Sequence, residues 1–497
     1  MPIRTLLGME TEYAVTGLDC NGNPIGRLAL VHAMLSKARE AYPHLRDGSG
    51  NGLFLANGGR LYIDSGLHPE FATPECQDPR EVLHYVREGE RLLLDLAERV
   101  RGDGHYLREV QVFRCNVDYA RSGSSWGCHE SYLHSTYPPL LPPQLIPHLV
   151  SRMIYAGAGG FNPLSPGLEF TLSPRAWLIS QTSSGDSTRN RGIYHLKNES
   201  LSRTGHRLHV ICGESLCSET AALLKLGSTA LVLAAIDAGL RPGDAVQLAA
   251  PVAALHTVAA GLDRKQGLAL VGGGRLSAAE IQRHYLATVE SCRAQGRLPG
   301  WADAICGLWQ CQLDALESEV PSLETTLDWA MKRALYQRWS GDRFSWDRLA
   351  RCSAALSRLE RALGELMERE LHVSLEGLLS ANDFQRELAQ LTPLLASEGL
   401  QWADLREFVR LRRELFEAEF RFGQLGTGIF EQLDRSGVLT HRVGGPAPRL
   451  PALGQAPAGR ARVRGEWIRR LSARGDTRRY RCDWSQLCDE LTGRRLD

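Results

Sequence analysis

Four short acidic patches fall within the first 130 residues, and each sets several polar groups side by side: Gly8–Tyr13, Arg60–Asp64, His68–Thr73 and Gly127–Glu130. In a β-strand, residues i and i+2 share a face. Glu10 and Glu12 therefore stand together, as do Arg60, Tyr62 and Asp64, and as do His68 and Glu70. Any one Glu-x-Glu or Tyr-x-Asp is ordinarily the solvated face of an amphipathic strand. Here the carboxylates follow strand-forming apolar runs, Leu6-Leu7-Gly8-Met9 before Glu10 and Leu61-Tyr62-Ile63 before Asp64. A sheet face with so many carboxylates repels itself unless a cation sits on it. Hard oxygen donors suit Mg²⁺ or Mn²⁺, and Mg²⁺ normally brings nucleotide phosphates with it. The pattern predicts a metal–ATP site on an antiparallel sheet.

The elements that must carry these residues are legible in outline. Residues 1–75 alternate strand runs with turn signals at Asp19–Pro24 and Asp47–Gly52. A helix opens at Asp78-Pro79-Arg80-Glu81, with a capping aspartate and a first-turn proline, and its stripe runs through Leu83, Val86, Leu93, Leu96 and Val100. Strands are expected near 109–117, 131–134, 169–172, 177–181 and 206–212. Ser218 caps a helix to about Gly239, and Ser277–Glu280 is a capping box opening another to about Gln295. From Trp301 to about Phe422 the pattern is helical, with breaks near 340–342 and 380–383. Strands first and helices afterwards give an α+β fold, with helices packed on one side of an antiparallel sheet.

The chain has 497 residues, with 58 basic and 57 acidic side chains and a formal net charge of +1. No global field points to nucleic acid or membrane. The arginines of the last segment are locally balanced by Glu466, Asp483, Asp489 and Glu490. The N-terminal apolar stretch is too short for a signal peptide, and the apolar run Leu226–Leu240 contains Gly227 and Asp237, so it reads as a buried helix. A soluble, cytoplasmic protein is expected. The twelve cysteines include no C-x₂-C pair, which argues for reduced, buried thiols and against structural zinc.

Four strings, three of them spanning these patches, GMETEY (8–13), NGGRLYIDSGLHPEFATPEC (57–76), SWGCHESYL (125–133) and RLHVICGESLCSETAALLKLG (207–227), resemble the Pup ligase/depupylase family, relatives of glutamine synthetase and other carboxylate–amine ligases. Leu327–Arg333, Gly428–Phe430 and Arg460–Glu466 also look like family segments, in family order. The resemblance implies a glutamine-synthetase-like catalytic domain over 1–440, with a helical insertion at about 350–400. It is followed by a linker over 441–459 and a small C-terminal domain over 460–497 that contributes to the nucleotide site. It also implies ATP and Mg²⁺ as cofactors, and a reaction on a protein carboxylate. The ligase transfers the γ-phosphate of ATP to the C-terminal glutamate side chain of Pup, a small disordered modifier. A lysine of a substrate protein then attacks the acyl phosphate to form an isopeptide bond. The depupylase hydrolyses that bond, and both serve a bacterial proteasome pathway.

Carried over residue by residue, Glu10, Tyr62 and Glu70 match the family's Mg²⁺ positions, with Glu12 an additional ligand or neighbouring support. Arg60 and Thr73 match nucleotide-binding positions. Trp484 resembles the C-terminal residue that packs on the nucleotide, although it also suits a domain-packing anchor. Asp64 matches the catalytic aspartate, which in a ligase takes a proton from the incoming lysine. His129 and Arg207 are candidate phosphate contacts, His129 also being compatible with a core histidine.

About forty residues separate Thr16 from Asn57, too few for the long loop that depupylases share, and the Asp64–Glu70 spacing is ligase-like. Gly213-Glu214-Ser215 with Ser218-Glu219, and Asp328-Trp329 with Lys332-Arg333, lean the same way. Departures stand beside these: His195–Ser200 replaces a family Asn-Thr-Arg-Asp-Glu-Pro stretch, Ser131 replaces an asparagine, and Glu214 an aspartate. The ligase is the expectation. The depupylase, and a non-catalytic adaptor that binds ATP or modifier without turnover, are its alternatives.

Overall fold

The computed structural model describes residues 5–102, 107–120, 123–196, 205–261, 265–318, 320–341, 344–369, 385–443, 454–475 and 477–495. Nine strands form the central sheet: β1 (Leu7–Glu12), β2 (His44–Asp47), β3 (Gly52–Leu55), β4 (Arg60–Ile63), β5 (Pro69–Ala72), β6 (Cys128–His134), β7 (His206–Val210), β8 (Tyr480–Cys482) and β9 (Leu487–Asp489). Their spatial order is β7-β6-β1-β5-β4-β3-β2-β8-β9. Neighbours pair antiparallel except β2 and β8, which run parallel.

The two-residue period of the strands sorts their side chains. Leu7 and Met9 face the helical side, where they join Val82, Tyr85 and Val86 of α2 (Pro79–Gly102). Leu61, Ile63 and Phe71 pack with Leu30, Val31 and Met34 of α1 (Arg27–Ala41) and with Leu92, Leu93 and Leu96 of α2. The α2 backbone approaches the sheet closely at Gly89, where an added Cβ would lie 2.3 Å from the Phe71 ring. Gly8, Glu10, Glu12, Arg60, Tyr62, Glu70 and His129 are left on the opposite face.

The helix α3 (Glu219–Asp237) is buried along almost its whole length. It is the one described helix long and apolar enough to cross a membrane, and 94% of its most apolar stretch is buried inside the protein. Its start matches the sequence: Ser218 Oγ accepts from Ala221 N–H at 3.2 Å. Asp328 adds a second cap by accepting from Cys217 N–H at 2.6 Å. The capping box at Ser277 is also present.

Two local expectations shift. The strand at Leu107–Phe113 pairs with Ala14–Asp19 and stops short of Val117, because Arg114 N–H turns to Gly423 O at 2.8 Å. Residues 174–178 form a 3₁₀ turn, after which Ile179–Ser184 pairs in parallel with Arg191–His195, a strand unread between polar loops. In the stretch read as a helical insertion, Trp346–Arg369 and Gln385–Ala396 are helices, and Leu356 and Leu359 are fully buried in the main core. The break at 380–383 lies outside the described residues, as does most of the linker read over 441–459. The segment from Arg460 onward packs Ile468, Leu471 and Leu487 against Leu45 and Phe54, and its hairpin extends the catalytic sheet through β8. All twelve cysteines are free thiols, nine of them buried.

Candidate active site

Strand register assembles the charged face. Glu12 lies opposite Glu70, which lies opposite Tyr62 on the next strand. Glu10 lies opposite His129, and Ser131 opposite His209. Glu10 Oε1 accepts from Arg207 Nη2 at 2.8 Å, while Oε2 is 3.6 Å from His129 Nδ1 and 3.7 Å from His209 Nε2. Ligand atoms of Glu10, His129 and His209 lie within 4.8 Å of one another, and so do those of Glu12, Glu70 and His129.

The electrostatics of this face suit a cation. Burial pushes Glu70 well above the usual carboxylate range, and the charges of Glu10 and Glu12 push it further. Among the described residues Glu70 has no ion-pair partner. Burial also raises Glu10, but the hydrogen bond from His129 and the charge of Arg207 outweigh it and hold Glu10 ionised. Burial keeps His209 neutral, and neither of its ring nitrogens makes a hydrogen bond. Burial, with Glu70 and Glu10 nearby, keeps the Tyr62 phenol protonated. Carboxylates, a phenol oxygen and imidazole nitrogens form a donor set that fits a hard divalent cation.

Beside this face lies a cavity of about 200 Å³ whose walls include Gly8, Glu10, Thr73, Arg207, Arg460 and Trp484. Thr73 Oγ1 accepts from Met9 N–H at 3.0 Å, fixing its hydroxyl at the rim. Trp484 stands edge-on to Phe54, with ring centroids 5.0 Å apart, and the Arg464 guanidinium lies 4.9 Å over its ring. Arg464 in turn pairs with Glu75 and donates to Gly58 O at 2.8 Å. Of the residues read from sequence as nucleotide contacts, Thr73, Arg207 and Trp484 therefore share one cavity. Arg60 and His129 are not in its wall. Arg60 donates through Nε to Asp47 Oδ2 at 2.9 Å and lies 3.9 Å over the Tyr62 ring, while His129 belongs to the carboxylate cluster.

Asp64 follows β4 at the head of a tight turn. Its Oδ1 accepts from His68 N–H at 2.5 Å, and Oδ2 lies 3.2 Å from His68 Nδ1. The same imidazole nitrogen is 3.5 Å from Glu12 Oε2, so it links Asp64 to the carboxylate face. Two arginines lie near Glu12. Arg175 donates to Trp126 O at 2.8 Å and Ile211 O at 3.1 Å. Arg191 is drawn down to about 10 by burial and by the charge of Arg175.

His68, His209, Arg175, Arg191 and Arg460 had been given no role from sequence. His209 was within reach of the i, i+2 rule, since it follows Arg207 by two residues on β7. Arg175 and Arg191 lie outside any acidic pattern and enter only through packing.

The chain matches the model of a family described as Pup-ligase protein over residues 5–364. It is 34% identical over 383 residues to a Pup–protein ligase of Nocardia farcinica, a match covering 74% of this chain and 82% of that protein. It is 34% identical over 381 residues to a Pup–protein ligase of Sanguibacter keddieii, covering 73% and 81%. Among solved structures, a crystal structure of the complex between Pup and its ligase PafA matches with a TM-score of 0.70 at 24% identity, covering 97% of this chain and 86% of that one. A structure of PafA with ADP matches with a TM-score of 0.66 at 24% identity, covering 93% and 88%. The fold is thus shared with those structures, and the chain belongs to the Pup-ligase family.

Proposed function

We propose that this protein is an ATP-dependent Pup–protein ligase. It joins the side-chain carboxylate of a C-terminal glutamate on a Pup-like modifier to lysines of target proteins, marking them for a bacterial proteasome. The observation that carries this reading is spatial: a cavity walled by Thr73, Arg207 and Trp484, a carboxylate face and a turn-mounted aspartate follow one another along one side of one sheet. The activity of the curated relatives supports it.

In this reading Thr73 and Trp484 hold the nucleoside end of ATP in the cavity. Arg207 lines the same cavity wall as Glu10, to which it donates, and offers its guanidinium to the phosphates. Arg60 supports Tyr62 from behind by stacking on its ring, and His129 supports Glu10. Glu10, Glu12, Glu70 and the Tyr62 phenol oxygen would hold Mg²⁺, which would neutralise phosphate charge. The modifier's glutamate carboxylate attacks the γ-phosphorus, and ADP leaves. Asp64 then takes a proton from the lysine ammonium, because only the neutral amine is a nucleophile. The amine lone pair forms the new N–C bond, the acyl C–O bond breaks, and the departing phosphate carries off the second amine proton. Dependence on ATP and on a proteasome pathway places the enzyme in the cytoplasm.

The test mixes purified protein, ATP, Mg²⁺, a Pup-like protein ending in glutamate and a lysine-bearing acceptor. Conjugate formation supports the proposal; cleavage of a preformed conjugate without synthesis identifies a depupylase instead. Asp64→Asn is expected to abolish conjugation and leave ADP affinity within about threefold, since Asp64 lies outside the cavity wall.

A further inference from the structure

The turn after β4 is built around one imidazole. His68 is 4% exposed, and its two ring nitrogens meet groups of opposite kinds. Nδ1 lies 3.2 Å from Asp64 Oδ2 and 3.5 Å from Glu12 Oε2. Nε2 lies 3.2 Å from Nη1 of Arg27, the first residue of α1. A guanidinium can only donate. Nε2 therefore accepts, and the ring proton resides on Nδ1, where it bonds the carboxylates.

The backbone is shaped to hold that ring. Asp64 O accepts from Leu67 N–H at 3.2 Å, and His68 O accepts from Asp64 N–H at 3.1 Å. Leu67 adopts φ +62°, the left-handed region that costs a leucine strain. The imidazole folds back over Gly66, where a Cβ would lie 2.7 Å from His68 Cε1 and 3.0 Å from Asp64 Oδ2. Trp126 covers the ring from the far side, with centroids 5.3 Å apart. Strain, a glycine cradle and an arginine lock converge on one side chain.

A carboxylate turns freely about its terminal bond unless both oxygens are held. Here His68 holds both, one through its backbone N–H and one through its ring. It also stands between Asp64 and Glu12, whose charges would otherwise drive them apart. We propose that His68, locked by Arg27, is a positioning residue that aims the Asp64 carboxylate at the acceptor lysine. This rests on the ligase reading above. The proton balance is that of the amine step: the ammonium proton goes to Asp64, and His68 neither gains nor loses one. The phosphoryl step, which precedes amine attack, does not require this aim.

The experiment separates the two steps in the full-length protein with ATP, Mg²⁺ and a Pup-like protein ending in glutamate. ADP formed in one turnover without acceptor reports the phosphoryl step; kcat and the acceptor KM report conjugation. His68→Ala is expected to lower conjugation kcat roughly 100-fold, the usual consequence of a misaimed group, with the ADP burst and acceptor KM within about threefold. His68→Asn places an amide N–H where Nδ1 stands and restores kcat to within about fivefold of wild type, whereas His68→Gln, which reaches only towards Arg27, does not. Arg27→Met releases the lock without touching the turn and lowers kcat about tenfold with the same selectivity. Equal loss of both steps, or rescue by Gln as good as by Asn, overturns the role. A wild-type chain that makes no conjugate overturns the ligase reading itself; a conjugating wild type with an unimpaired His68→Ala overturns only the positioning role.

Discussion

Arg464→Met tests whether the C-terminal segment completes the nucleotide site. The Arg464 side chain is only 6% exposed. It pairs with Glu75, donates through Nε and Nη2 to Gly58 O, and lies over the rings of both Trp484 and Phe54. Removing one partner of a buried pair costs about 3–5 kcal/mol, because the other charge is left stranded. The Glu75 side chain keeps 20% exposure, so the lower end, about 3 kcal/mol, applies. That cost falls on the attachment of helix 460–473 to the β3–β4 hairpin. Only the share felt at Trp484 enters nucleotide affinity: about 1–2 kcal/mol for the lost cation–π contact and loosened ring. This corresponds to an ADP Kd raised about 5- to 30-fold. Calorimetric titration with ADP measures it, and hydrogen exchange over 480–489 measures the loosened hairpin. Arg464→Lys keeps the charge without the fork and is expected to fall between the two. ADP affinity within twofold of wild type, with unchanged exchange in the hairpin, would refute the view that this segment shapes the site.

Other expectations follow from single groups. Glu70→Gln removes a donor oxygen from the one carboxylate of this face with no ion-pair partner among the described residues, and Mn²⁺ binding followed by electron paramagnetic resonance should weaken at least roughly tenfold. Arg152 and Glu130 form a wholly buried bidentate pair, with contacts of 2.7 and 2.8 Å, so Arg152→Met should lose about 3–5 kcal/mol of stability in denaturant unfolding. Glu88 is buried with one carboxylate oxygen unpartnered, and burial raises it to about 7. The folded state therefore holds this proton more tightly than the unfolded chain, so its contribution is most favourable in acid and declines as pH rises from 4.5 to about 7. Glu88→Gln should accordingly stabilise the protein by up to about 3 kcal/mol at pH 8 and by little at pH 4, and an equal gain at both would contradict it.

Local signals in the sequence carried far, because they depend on neighbours within a turn or a strand. Ser218 and Ser277 cap helices where their side-chain oxygens were expected, and the i, i+2 rule placed Glu10 with Glu12 and Arg60 with Tyr62 on one face. Register between strands is a different kind of information. Nothing local states that Glu10 faces His129, that Ser131 faces His209, or that β7, 197 residues after β1 at the Glu10–Arg207 contact, returns a guanidinium to the first carboxylate. The same limit explains Arg60. As an isolated side chain it reads as a phosphate fork, but Asp47 on the strand beyond its neighbour occupies the fork.

The C-terminal segment shows how this limit bears on chemistry. Its arginines and tryptophans looked like an appended module, yet Tyr480–Cys482 joins the catalytic sheet in parallel beside β2. Parallel pairing across more than 400 residues has no turn to announce it. Its consequence is that Trp484 reaches the cavity from the turn between β8 and β9 of the sheet that carries Phe54, and Arg460 from the helix packed on that sheet, rather than as a lid on a tether. Nucleotide binding and the fold of the last forty residues should therefore be linked. Saturating ADP is expected to slow hydrogen exchange at 480–489 by the factor 1 + [ADP]/Kd, about 100-fold at 100 times Kd. Protection that instead stays constant while the β1 amides become protected would mean that ADP binds without the C-terminal hairpin.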